Sequence, residues 1–142
     1  MEIAEVRKTF DFVLDSWRKA HALKSTAESY RLSATGGGIR YDKDHVQTSP
    51  KDYQADWIIK AADCEAQAVK ILEMSDEARA TAYAWMEVCC SDEEQYVLTQ
   101  HYLLGETYTE IKDGFMELFD YGAKTTMFDI AQRGLKKISG KM

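Results

Sequence analysis

A chain of 142 residues, 45% hydrophobic and 30% charged with a formal net charge of −6, can bury one domain of ordinary size or two small helical ones. A single Pro, few alternating Val or Ile runs and much Ala, Glu, Lys, Leu and Met point to an all-α fold. No apolar run approaches the roughly 20 residues that span a bilayer, and the N-terminus alternates charged with apolar residues instead of carrying a signal-peptide core, so no membrane partner and a cytoplasmic protein are expected.

Residues 2 to about 32 place Ile3, Val6, Phe10, Val13, Trp17 and Ala20 at alternating steps of three and four, the seam of a helix packed lengthwise on another. Leu23, Ala27 and Tyr30 extend that face. Its polar side mixes both charges, which argues against a membrane-surface helix. From 33 to 51 the pattern dissolves into Gly36, Gly37, Gly38 and a polar run ending at Ser49 and Pro50. The three glycines lack a preceding strand and a GK[ST] ending, so a flexible loop is expected in place of a phosphate cradle. Arg31, Arg40, Lys43 and Lys51 could reach a DNA backbone or a protein partner from it.

Ser49 and Pro50 suit a helix start, and Trp57, Ala61, Cys64, Ala68 and Ile71 continue at four, three, four, three, with Ile58, Ala62, Val69 and Leu72 beside them. One long helix is expected over 51 to 90, kinked or continuous at Ser75. Together the two stripes predict a long antiparallel helical hairpin of coiled-coil type over 1–90. Cys64, Cys89 and Cys90 are read as reduced thiols. With His21, His45 and His101 scattered, neither a metal site nor any other cofactor is expected.

Ser91 precedes Asp92, Glu93 and Glu94, an N-cap followed by acids where the positive end of the helix dipole favours them. Val97, Leu98, His101, Tyr102 and Leu104 give that helix an apolar face, and Gly105 stops it. Thr107 with Glu110 forms a capping box that starts another helix at Tyr108. Ile111, Phe115, Leu118 and Phe119 mark its covered face, while Glu110, Asp113 and Glu117 are read as solvated rather than metal-binding. Asp120, Tyr121 and Gly122 turn the chain. The last helix, about Ala123 to Ile138, buries Met127, Ile130, Ala131, Gly134 and Ile138.

Glu93 through Ile111 resembles the first half of a sigma-70 region-4 type helix-turn-helix, and Thr125 to Ile138 resembles its recognition helix and basic tail. The whole plan is similar to the small phage and prophage transcriptional regulators of the RinA and ArpU type. The resemblance implies two domains, 1–90 for oligomerisation or partner docking and a three-helix helix-turn-helix over 91–142. It further implies a sequence-specific regulator that binds double-stranded DNA. In such a module the first two turns of the recognition helix read base edges and later cations hold phosphate. Lys124, Thr125, Phe128, Asp129 and Gln132 are therefore the base-edge candidates, and Arg133, Lys136 and Lys137 the phosphate candidates. The connector from Glu110 to Met127 exceeds that of a compact motif by about five residues.

Charge is unevenly placed. Residues 91 to 120 hold eight acids against Lys112, a net of −7, whereas residues 121 to 142 hold five cations against Asp129, a net of +4. One basic helix on an acidic chain gives few phosphate contacts, so a homo-oligomer reading paired half-sites is expected. The alternative is a helical interaction protein that binds RNA polymerase or a sigma factor without base readout. No Ser/His/Asp or Cys/His pair, carboxylate dyad or nucleotide loop reaches a convincing spacing, so no catalytic residue is assigned.

Overall fold

The computed structural model describes residues 1–34, 50–119 and 124–141, except for the side chains of 50–53, 124 and 125. Its elements are α1 (Ile3–Ala34), α2 (Pro50–Cys89), α3 (Asp92–Leu98) with a π-helical extension (Thr99–Leu103), α4 (Tyr108–Phe119) and α5 (Lys124–Lys141). Among the described residues there is no strand, and no helix is long and apolar enough to cross a membrane. The 33–51 loop falls almost wholly outside the described residues, as does the turn at Asp120, Tyr121 and Gly122.

Both long helices bury a small or branched residue every seventh position: Val6, Val13, Ala20, Ala27 and Ala34 in α1, and Ala61, Ala68, Ser75, Ala82 and Cys89 in α2. A strict seven-residue repeat keeps one narrow stripe inward along a whole helix. Small side chains on that stripe allow close backbone approach. The expected continuous second helix is present, with Ser75 fully buried in its stripe.

By contacts the chain divides into two compact units: Lys19–Glu73, and Met1–Arg18 with Met74–Met142. In the first, Tyr30 stacks on Trp57 with centroids 5.4 Å apart, Lys60 lies over both rings, and Arg31 is paired with Glu65. Among its described residues the buried apolar ones are alanines. The second unit holds the large core. Phe10, Met86, Leu98, Leu103, Ile111, Phe115, Met127, Leu135 and Ile138 are all buried there.

Local chemistry explains how that second unit turns. Ser91 and Glu94 form a reciprocal capping box at the start of α3: the Ser91 N–H donates to the Glu94 carboxylate at 3.0 Å and the Ser91 hydroxyl accepts from the Glu94 N–H at 3.4 Å. After Leu98 the helix widens to π geometry, and the Leu104 N–H donates to the Thr99 carbonyl at 3.1 Å. Gly105 then takes φ +72°, and the Glu106 N–H closes the turn on the Gln100 carbonyl at 2.9 Å. His101 Nδ1 reaches the Glu106 carbonyl at 2.7 Å while its ring stacks on Tyr108 at 4.1 Å. Burial lowers the His101 pKa more than that carbonyl raises it, so the ring is neutral at pH 7.

Two residues on, the expected Thr107 capping box starts α4. The Thr107 hydroxyl accepts from the Glu110 N–H at 3.3 Å, and the Glu110 carboxylate accepts from the Thr107 N–H at 3.1 Å. The helix expected from Tyr108 runs as far as Phe119. Tyr96 of α3 packs against its Phe115 and Phe119.

Candidate nucleic-acid interface

Helix α5 is amphipathic in the expected phase. Met127, Ile130, Ala131, Gly134 and Ile138 face inward, joined by Leu135, and all six are buried. Gly134 has a packing reason: a Cβ there would sit 2.8 Å from Leu98 Cδ1 and 3.3 Å from Glu94 Cβ. Its absence lets α5 lie close against α3.

The eight candidate residues divide by what they touch. Phe128 is 48% exposed yet meets the Tyr108 ring edge-on at 5.7 Å, so its position is fixed from beneath. Asp129 and Lys136 are exposed. Gln132 is half-buried and accepts a hydrogen bond from the Arg7 guanidinium of α1. A few turns on, the Ser139 hydroxyl donates to the Met1 carbonyl at 2.8 Å, so the start of α1 lies alongside α5. The side chains of Lys124 and Thr125 are outside the described residues.

Arg133 and Lys137 share a single buried acid. Arg133 Nε lies 2.6 Å and Lys137 Nζ 3.0 Å from the same oxygen of Glu94, whose side chain has no exposed surface. Burial by itself would push that carboxyl up, but the Ser91 N–H, Arg133 and Lys137 outweigh it and hold the pKa below the ordinary glutamate value. A three-member ion cluster of one acid and two cations thus joins α3 to α5. Both cations keep about half of their side-chain surface in solvent, 54% and 42%. They can reach outward only by loosening their hold on Glu94.

Neighbouring groups are chemically quiet. Burial and the Glu94 charge push the Cys90 thiol up to about 12, so it is a thiol at neutral pH. The hydroxyls of Tyr102 and Tyr108 hydrogen-bond to each other under Phe128, and burial raises both above the ordinary tyrosine value.

The outward face of α5 thus offers an aromatic ring, a carboxylate and an amine with the half-buried Gln132 amide beside them, and Lys141 is exposed at its end. Those groups can donate to and accept from base edges and contact a thymine methyl. Two participants were not singled out in the sequence. Glu94 carried a readable signal, since Ser-x-x-Glu before an apolar run is a capping box. Arg7 carried none, being 125 positions from Gln132. No protein-family model, curated protein or solved structure matches the chain.

Proposed function

We propose that this chain is a DNA-binding transcriptional regulator in which α3, α4 and α5 act as a helix-turn-helix of the sigma-70 region-4 kind, as in the phage and prophage regulators it resembles. The paired segments of α1 and α2 then form the antiparallel hairpin that assembles the protein. The observation that carries this reading is the division of α5. Six residues lock it to α3 and α4, while Phe128, Asp129 and Lys136 remain outward on the part of the chain with net positive charge. A helix so held presents its first two turns as a rigid reading edge. Lys124 and Thr125 belong to that edge by their place in the sequence, and Gln132 lies at its far end.

The test is a fluorescence-polarisation titration against random duplex and the protein's own upstream DNA, at several salt concentrations, beside a Phe128→Ala/Lys136→Ala variant. Both side chains are exposed on the outward face of α5, so the fold should persist. Salt-sensitive, sequence-preferring binding that the variant loses by tenfold or more supports the reading. Absence of binding at low salt overturns it.

A second reading has its own support. Arg133 and Lys137 are already paired with Glu94, and residues 91 to 120 carry a net charge of −7. That combination suits a protein that docks on a basic surface of RNA polymerase or a sigma factor without touching bases. Retention of polymerase by the immobilised chain in the absence of DNA, abolished by Asp113→Lys/Glu117→Lys, distinguishes it.

A further inference from the structure

Helix α2 carries a second apolar stripe that the seam toward α1 does not use. Ala55, Ile59, Ala62, Ala66 and Val69 follow one another at steps of four, three, four and three, the spacing that keeps residues on one face of a helix. All five are exposed, Ile59 by 59% and Val69 by 51%, and Ile58 beside them by 49%. At about 100° per residue the stripe lies roughly 130° around the helix from buried Ala61 and Ala68. Among its described residues the Lys19–Glu73 unit therefore buries only alanines while Ile58, Ile59 and Val69 stay exposed, an arrangement that suits a further helix.

We infer that this helix is α2 of a second copy, packed antiparallel across a twofold axis between Ala62 and Asp63. Reversal about that point sets Ile59 on the partner's Ala66 and brings Val69 within one residue of the partner's Ala55, large beside small at both levels. The flanking charges agree. Asp56 comes within one residue of the partner's Lys70, and symmetry repeats the pair, whereas a parallel arrangement would set each charge against its like. Only Asp63 meets its own copy near the axis. A stripe of 15 residues is about 21 Å long and buries less than the roughly 800 Å² per partner of a standard interface, so the pairing depends on concentration. It deepens the nucleic-acid reading, for which it provides the second half-site, but its evidence lies wholly in residues 54–73.

The experiment is sedimentation velocity of the full chain without DNA over a wide concentration range, with circular dichroism as the check on folding. The wild type should pass from one to two chain masses as concentration rises. Ile59→Asp, at an exposed position, should keep its helicity and weaken association at least tenfold. Asp63→Ala removes the like-charge contact and should tighten it severalfold, a gain that a damaged fold cannot imitate. Asp56→Lys should weaken pairing and Asp56→Lys/Lys70→Asp should restore it. A chain that stays single at every concentration overturns the inference. So does a dimer indifferent to Ile59→Asp, or a charge swap that fails to restore. Because DNA is absent, either result leaves the test of base reading independent.

Discussion

Glu94 serves three partners with one carboxylate: the Ser91 N–H, Arg133 and Lys137. Glu94→Gln keeps the shape and removes the charge, and hydrogen bonds to a buried charged group are worth about 1.5–3 kcal/mol. A loss of that size at neutral pH is the expected result of urea denaturation. Its pH dependence has a definite sign. In the fold this carboxyl titrates below the ordinary value, so as pH falls the unfolded chain takes up the proton first. The contribution is complete above the unfolded glutamate pKa of about 4.3 and disappears as pH drops through the folded value. Wild type and Glu94→Gln should therefore converge in stability on acidification, and parallel curves from pH 7 to pH 3 would show that the cluster contributes nothing. The same substitution releases Arg133 and Lys137 to solvent. DNA affinity at low salt should rise while stability falls, which separates the two roles of these cations.

At the scale of elements, the turn between α3 and α4 depends on a single backbone angle. Gly105 has φ +72°, where an L side chain is strained, and a Cβ there would overlap the ring of Trp17. Left-handed geometry costs a non-Gly residue about 1–2 kcal/mol, and crowding a packed site adds about 1–3 kcal/mol. Gly105→Ala should lower stability by about 2–5 kcal/mol in thermal or urea denaturation, and a loss under 1 kcal/mol would mean that the Trp17 ring moves aside freely. The role of Gly105 as a stop was legible in the sequence, because glycine after an apolar helical run has a well-defined conformational use. So were the Thr107 cap, the inward residues of α5 and the unbroken course of α2, since each rests on local spacing or on hydrogen bonds between near neighbours. The π-helical turn was not. Thr99–Leu103 contains no residue that demands a wider helix, and its geometry comes with the contacts that His101 makes to Glu106 and Tyr108. The pairing of Arg133 and Lys137 was hidden for a related reason. Their periodic positions announce cations beside the buried stripe, but only tertiary approach of α3, permitted by Gly134, brings the acid that neutralises them.

For the molecule as a whole, that neutralisation sets how binding would scale with salt if α5 reads DNA as proposed. Residues 121 to 142 carry five cations, of which Glu94 occupies two. About three remain for phosphate on each copy. Release of counterions from duplex DNA lowers log K by about 0.9 per decade of salt for each phosphate neutralised, so one copy should show a slope of roughly −2 to −3, weak binding for an acidic chain. Two copies joined through the α2 stripe would engage twice as many phosphates, with a slope near −5. Joining also turns the second binding event into an intramolecular one. Ile59→Asp should therefore halve the salt slope and reduce affinity for a two-half-site operator, with affinity for a single half-site unchanged. The measurement is polarisation across salt concentrations on both duplexes. Equal slopes for wild type and variant would mean that the positive ends of two copies never sit on one DNA, and the acidic α3–α4 surface would become the place to seek a partner. A slope that halves only on the paired site would tie the exposed face of α2 to the reading edge of α5.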